Sequence, residues 1–122
     1  MNDYKIKLGR LGEIIAARFL EKNGFKVIDR NFYTRYGEID LIAENGDEIL
    51  FCEVKARTSS EYGYPEQAVD YYKIRKILKA IGVYLQARDL NKFWRLDVIS
   101  VEMNKADKKA KVKWFKNVGI DN

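Results

Sequence analysis

The feature that most constrains the fold of this chain is a pair of apolar runs, 37–44 and 48–57, that flank the dipeptide Asn45-Gly46. Asn-Gly between two such runs is the strongest short-range signal for a β-hairpin. Both runs are apolar enough to be central strands of a sheet, with a helix covering each face. The pair therefore predicts an antiparallel hairpin within the layered core of a globular domain.

Charged residues occur at alternate positions in both runs, with Glu38 and Asp40 in the first and Glu53 and Lys55 in the second. Successive side chains of a strand point to opposite faces, so the members of each pair share a face. One interpretation is an exposed face on which the charged groups are solvated. Three large apolar residues argue against an exposed face, because they share this face and must be buried under another element: Ile42, Ile49 and Phe51.

The expected register of the hairpin pairs Glu44 with Asp47 across the turn. It places Glu38 directly opposite Glu53 and makes Asp40 a diagonal neighbour of Glu53, with backbones roughly 7–8 Å apart. Like charges opposite each other destabilise a sheet. A divalent cation between the carboxylates would offset this repulsion, and magnesium takes oxygen ligands at about 2.0–2.1 Å. The pattern therefore favours a metal site over a solvated face.

Beyond the hairpin, the periodicity predicts two helices and further strands. Helical spacing covers about 3–22 and 65–87, and strand-like runs cover 25–33, 94–101 and 111–118. Short links make the first three strands antiparallel, whereas the second helix permits a right-handed parallel crossover to the fourth. The prediction is a single α/β (α+β) domain over residues 1–122, in the order αβββαβ, with a four- to five-stranded mixed sheet flanked by helices.

The apolar stripe of the first helix predicts which of its sides packs on the sheet. Leu8, Leu11, Ile15 and Phe19 recur at helical spacing. Three further residues widen this stripe: Ile14, Ala16 and Leu20. We expect this whole face to be buried.

The composition removes several kinds of catalysis. The chain has no histidine and a single cysteine, Cys52. Ser-His-Asp and Cys-His mechanisms, zinc sites of histidine or several cysteines, and an intramolecular disulfide are therefore excluded. Carboxylates, lysine, tyrosine or a hard metal ion remain. Cys52 alternates with the charged residues, so we expect it to be a small buried hydrophobe on the opposite face.

Charge and hydropathy bear on partners and location. The net charge of +5 and the pI of about 9.2 favour a polyanionic partner, nucleic acid before an anionic membrane surface, although many solvated domains are mildly basic. No apolar run approaches the roughly 20 residues of a membrane span. Segment 1–10 lacks the apolar region of a signal peptide. We therefore expect a cytoplasmic protein that does not engage a membrane.

Motifs that follow one another along the chain add a resemblance to a known family. Glu-Ile-Asp at 38–40, followed by Glu-Val-Lys at 53–55, resembles the signature of the PD-(D/E)XK nuclease superfamily, with Ile39 in place of the usual proline. The full set of motifs resembles the YraN-like family of small bacterial proteins, which is similar to Holliday-junction resolvases and restriction endonucleases. The set comprises Gly9-Arg10-Leu11-Gly12-Glu13, Asn31-Phe32, 37–42, 51–57, Gly63-Tyr64-Pro65, Ala68-Val69 with Lys73, and 95–98. The resemblance implies a restriction-endonuclease-like core.

The resemblance also implies a site that depends on magnesium or manganese. Asp40 and Glu53 would ligate the metal together with the backbone carbonyl of Val54, and the metal would activate a water and bind the scissile phosphate. Lys55 would orient or help to deprotonate that water, because the pKa of a lysine shifts readily on burial. Glu13 would hold a second metal or a metal-bound water; its alternative is a solvated helix residue.

Basic and polar residues near this site would contact DNA. Lys73 is the strongest candidate for a phosphate contact, and Gln67 lies near the start of the same helix. Three further residues would bind the DNA backbone without reading sequence: Arg57, Arg75 and Lys76. The alternative for each helix residue is a solvated surface.

Several roles stay open at this stage. Glu38 either contacts the metal-binding residues without binding the metal itself or pairs with a lysine or arginine. Asp97 is either structural, which we favour, or paired with a basic residue near the site. The lysine-rich segment 105–116 predicts a solvated hairpin end. Trp114 and Phe115 within it would serve as hydrophobic cover or as a dimer contact.

The leading functional hypothesis is a metal-dependent endonuclease that hydrolyses DNA phosphodiester bonds, with structured or branched DNA among its candidate substrates. The alternatives are a non-catalytic nucleic-acid-binding protein on the same fold and a protein-interaction module. Asp40, Glu53 and Lys55 together favour the nuclease, because a binding protein has no need of two close carboxylates beside a phosphate. Two-fold cutting of a junction would require a homodimer, and the sequence leaves the oligomeric state open.

Overall fold

The computed structural model describes residues 3–58, 71–88 and 90–118. The elements are α1 (Asp3–Lys22), β1 (Lys26–Thr34), β2 (Gly37–Asn45), β3 (Glu48–Thr58), α2 (Tyr71–Ala87), β4 (Phe93–Met103) and β5 (Ala110–Phe115). The strands form one five-stranded sheet in chain order, in which β3 and β4 are parallel and the other neighbours antiparallel. The predicted mixed sheet and α+β class are confirmed. The expected helical start at 65–70 lies outside the described residues.

The two helices cover opposite faces of the sheet. The cluster under α1 joins its small and apolar residues to β2, β3 and β4, and its members include Ala16, Ala17, Leu20, Leu41, Leu50, Cys52 and Ile99. The cluster under α2 includes Ile77, Ala80, Ile81, Ile42, Phe51 and Leu96. Each large apolar side chain buried in this way contributes about 1.5–3 kcal/mol. Among the described residues, neither helix has the length and apolar character needed to cross a membrane.

The packed side of α1 differs from the predicted stripe. Ala16 and Leu20 are fully buried, but Leu11 and Ile14 are 46% and 44% exposed. Gly12 faces the sheet instead: a Cβ built on it would lie 2.5 Å from the Cβ of Ala56 on β3. This close approach holds Glu13, the next residue of α1, near the end of the central strands.

The register of the β2–β3 hairpin is two residues away from the predicted one. Glu44 pairs with Ile49 rather than with Asp47, and Asn45 pairs with Glu48. The two-residue turn is therefore Gly46-Asp47, with Gly46 at a φ of +60°. Glycine at the first central position of a tight hairpin turn accommodates a positive φ. The pairing of Glu38 opposite Glu53 was thus wrong, and Asp40 rather than Glu38 stands beside Glu53.

A buried carboxylate ties β4 to β5, which supports the structural role favoured for Asp97. The Asp97 side chain is fully buried and accepts hydrogen bonds from Arg95 Nε at 3.1 Å, Trp114 Nε1 at 2.7 Å and the Asn117 amide at 2.8 Å. Arg95 also bonds Glu48 of β3 over 3.2 Å. The Trp114 ring packs edge-on against Phe19 and Phe25, so it serves as hydrophobic cover.

Candidate active site

The strands β2 and β3 part at Asp40. Their last paired residues in this direction are Leu41 and Cys52. Two residues past Cys52, the backbone N–H of Val54 donates to Asp40 Oδ2 over 2.8 Å. A side-chain carboxylate thus takes an amide that a partner strand would otherwise bond. The exchange holds the Asp40 carboxylate between the two strands and next to Glu53.

The carboxylates of Glu38 and Asp40 meet Glu13 of α1. One oxygen from each of the three lies within 4.8 Å of the other two. On the same strand, Ile39 and Ile42 both pack on the α2 side although they are three positions apart. Strict alternation, which predicted one common face for Glu38, Asp40 and Ile42, is therefore interrupted in β2. Glu38 belongs to the carboxylate cluster itself.

Asn31 of β1 is a site residue to which the sequence assigned no role. Its Nδ2 donates to Glu13 Oε1 over 3.2 Å and to Glu38 Oε1 over 3.4 Å. Its backbone has a φ of 48°, in the left-handed region that asparagine enters more readily than most residues. An asparagine inside a strand-like run was the available signal. Asn31 holds two carboxylates close together without adding charge.

The pKa values of the buried carboxyls Asp40 and Glu53 are shifted in opposite directions. Burial, together with the hydrogen bond and charge of Glu53, raises the pKa of Asp40 to about 9. Burial also acts to raise the pKa of Glu53, but hydrogen bonds from Asp40 and Lys73 outweigh it and lower that pKa. Asp40 is thus the neutral donor near pH 7, and Glu53 is the charged acceptor. Burial also raises the pKa of Glu13.

Two lysines compensate the charge of Glu53. Lys73 Nζ of α2 lies 2.6 Å from Glu53 Oε2, and Lys55 Nζ lies 3.5 Å from the same oxygen. Burial and the neighbouring Lys73 lower the pKa of Lys55. The pKa of Lys73 is raised, because its bond to Glu53 outweighs the effect of burial. The two ammonium groups are therefore different: Lys55 gives up a proton more readily, and Lys73 keeps its charge.

The described residues among the other predicted DNA contacts have different surroundings. Arg75 and Lys76 are exposed on α2 and, with Tyr72 and Lys79, line a shallow cavity of about 170 Å³. Arg57 is largely buried and faces Glu102 of β4, 3.9 Å from Nε to Oε2. Gln67 lies outside the described residues. Of the described members of this group, Lys73 is the one that forms an ion pair with a carboxylate of the candidate site.

The donor set is suited to a hard divalent cation. Glu13, Glu38 and Asp40 offer oxygens that lie within 4.8 Å of one another, of the kind that magnesium and manganese prefer. Glu53 and the Val54 carbonyl belong to the neighbouring strand β3. Burial is the main cause that raises the pKa values of Glu13 and Asp40, so their charged forms are disfavoured here. A cation here would take the place of the proton that Asp40 now holds.

Replacing Asp40 by asparagine is expected to stabilise the metal-free protein by about 0.5–2 kcal/mol, the usual range for one stabilising substitution. Asparagine reproduces the neutral carboxyl: it can accept from Val54 and donate to Glu53. The Asp40 pKa is raised from 3.8 to about 9, so its stability contribution is complete below pH 3.8 and is lost as the pH rises through about 9. The advantage of Asp40→Asn should therefore grow from pH 4 to pH 9, as measured by urea unfolding in EDTA.

The matched control is Glu53→Gln, an equally isosteric change at the other half of the pair. It removes the charge that compensates Lys55 and Lys73, so it should destabilise the metal-free protein. Manganese should raise the melting temperature of the wild type and leave Asp40→Asn unchanged. Equal unfolding midpoints for wild type and Asp40→Asn at pH 8 would show that Asp40 is not held as a strained neutral acid.

The five-stranded mixed sheet, the helix on each face and the carboxylates where the central strands part have the features of a restriction-endonuclease-like core. Residues 12–101 match the family model described as "Uncharacterised protein family UPF0102". The chain belongs to this family, the YraN-like family of the PD-(D/E)XK superfamily, and the resemblance seen in the sequence is confirmed.

Similar proteins carry the same family name and match over most of their length. A UPF0102 protein of Clostridium tetani is 43% identical over 105 residues, which cover 85% of this chain and 86% of the relative. One from Caldanaerobacter subterraneus is 44% identical, with 82% and 83% covered. One from Clostridium kluyveri is 40% identical over 118 residues, with 96% and 97% covered.

Proposed function

We propose that this protein is an endonuclease that hydrolyses DNA phosphodiester bonds with magnesium or manganese. The observation that carries the proposal is the meeting of Asp40, Glu53 and Lys55, where a buried carboxylate pair adjoins a lysine of lowered pKa. Perturbed carboxylates beside an acid–base lysine are typical of catalytic sites.

Asp40 and Glu53, with the Val54 carbonyl, would hold the metal, and Glu13 and Glu38 would complete its surroundings directly or through water. When bound, the metal supplies a water of lowered pKa and neutralises charge on the phosphate. Asn31 keeps Glu13 and Glu38 in place through its two hydrogen bonds. These carboxylates come from α1, β2 and β3, so the folded core positions them rigidly.

Lys55 and Lys73 would have different roles in the reaction. Lys55, with its lowered pKa, would accept a proton from the attacking water. Lys73 keeps its charge and would hold Glu53 and attract the phosphate. The exposed Arg75, Lys76 and Lys79 on α2 would contact the DNA backbone, where lysine and arginine bind without reading sequence.

One observation favours a second candidate, a nucleic-acid-binding protein without catalysis. The Glu53 charge is already compensated by Lys55, Lys73 and the proton of Asp40, so this half of the site is balanced without a metal. Such a protein would bind DNA through its basic surface and cut none of it.

Cleavage of a labelled DNA panel separates the two candidates. Duplex, single-stranded, flap and four-way junction DNA are incubated with the wild type in magnesium, manganese or EDTA, beside Asp40→Ala and Glu53→Ala. The proposal expects metal-dependent cutting that both variants lose, and a preference for flap or junction would favour branched DNA as the substrate. DNA binding without cutting by wild type and variants alike would support the second candidate and overturn the first.

A further inference from the structure

The side chains of β5 are divided between the two faces of the sheet, and both of its lysines lie on one face. Val112 and Trp114 pack into the cluster under α1. Because side chains alternate along a strand, Lys111 and Lys113 point to the opposite face, and both are exposed. They therefore lie on the face that carries Glu53 and Lys55, in the strand that follows the predicted hairpin end, an exposed turn at 104–109.

The strand register aligns these lysines with the candidate active site. Ser100 of β4 pairs with Lys55 on one side and with Lys113 on the other. Glu102 of β4 pairs in the same way with Arg57 and Lys111. Two parallel rows thus cross β3, β4 and β5. With strands about 4.8 Å apart, the backbones of Lys55 and Lys113 lie roughly 10 Å from each other.

The rows carry a net positive charge. Ser100, in the middle of the first row, is buried and neutral. The longer lysine side chains on either side of it therefore project further from the sheet. Glu102, in the second row, faces Arg57 at 3.9 Å. A small cavity of about 30 Å³ is lined by Ser100, Glu102, Lys111 and Lys113. Within the described part of the chain, neither Lys111 nor Lys113 takes part in a salt bridge.

We infer that a nucleic-acid strand leaves the cleavage site past Lys55 and crosses β4 to β5, where Lys113 and Lys111 contact its phosphates. This inference rests on the proposed nuclease function. A phosphodiester strand fits because its charges repeat at a few ångströms, and a row of separate ammonium groups can follow it. A lysine ammonium is a flexible point charge, unlike the planar, bidentate guanidinium of arginine. These contacts would therefore hold a nucleic-acid strand of any sequence. The β5 lysines would then extend the active site by two strands.

The test compares two charge-matched double variants. Lys111→Gln/Lys113→Gln removes the inferred contacts. Lys105→Gln/Lys116→Gln removes the same charge from the same segment, at lysines that stack on Tyr4 and Trp114. Binding of fluorescent duplex DNA and kcat/KM for cleavage are measured as functions of NaCl concentration. All four positions are exposed, and unfolding midpoints verify that both variants fold.

Lys111→Gln/Lys113→Gln is expected to lower the slope of log affinity against log salt by about 2, since each phosphate contact contributes about 0.9. KM should rise with kcat unchanged, and the control pair should behave as the wild type. Equal slopes for the two double variants, in a wild type that cuts DNA, would overturn the inference and leave the proposed function standing. If the wild type binds but does not cut, the proposed function fails and the binding slopes alone decide the inference. A wild type that neither binds nor cuts DNA overturns both.

Discussion

Replacing Lys55 by methionine is expected to lower kcat for DNA cleavage by about 10²–10⁴-fold, the usual contribution of a positioned acid–base group. Lys55 lies 3.5 Å from Glu53, and burial beside Lys73 lowers its pKa. A lysine of lowered pKa becomes neutral more readily than an ordinary lysine, and in its neutral form it can take a proton from water. Methionine fills the same volume and cannot. The measurement is single-turnover cleavage of the best substrate of the panel, at saturating protein.

Two variants separate proton transfer from charge. Lys73→Met removes an ammonium that contacts the same Glu53 oxygen but whose pKa is raised, so it should raise KM more than it lowers kcat. Lys55→Arg keeps the charge, but a guanidinium stays protonated, so it should not restore the rate at any pH. In the wild type, the rate should increase with pH as Lys55 loses its proton. Full activity of Lys55→Arg would show that Lys55 acts by charge alone.

Replacing Asp97 by alanine is expected to cost about 3–5 kcal/mol, the range observed when one partner of a buried ion pair is removed. Asp97 is fully buried and accepts from Arg95, Trp114 and the Asn117 amide. Without it, Arg95 retains only Glu48 as an ionic partner among the described residues, and two N–H groups lose their acceptor. Because small domains are stable by only about 5–15 kcal/mol, much of the stability would be lost. The measurement is the urea midpoint by circular dichroism.

The matched control is Asp29→Ala, the same change at a surface ion pair. Asp29 bonds Arg88 over 2.8 Å, but the pair is exposed to solvent, where screening leaves little net stabilisation. Its midpoint should stay close to that of the wild type. A midpoint of Asp97→Ala equal to that of Asp29→Ala would show that β4 and β5 are held by packing rather than by the Asp97 network.

The order of the elements could be read from local patterns. The hairpin signal at Asn45-Gly46 and the helical spacing over 3–22 predict elements that the structure contains, because periods of two and 3.6 residues are properties of a short segment. Details that depend on neighbours were wrong. The turn is Gly46-Asp47, and this shifts the register by two residues. Leu11 and Ile14 are exposed, because the sheet accepts Gly12 at close approach instead.

The site residues also differ in whether local patterns could predict them. Asp40, Glu53 and Lys55 could be predicted together, because they lie on adjacent strands joined by a short turn. Glu13 entered through the family resemblance, and Asn31 was missed as a site residue. Their contacts are long-range: Asn31 bonds a carboxylate 18 residues away, and Lys73 reaches Glu53 from another element.

The class of fold, the family and the acidic and basic residues of the candidate site could all be read from the amino-acid sequence, because they follow from residue types and short spacings. The packing of the folded chain sets which carboxylates meet, which carboxyl has a raised pKa and which lysine has a lowered one. Proton affinity depends on burial and on neighbours within a few ångströms. Both arise only when α1, α2 and the sheet pack together, at distances that no local pattern encodes.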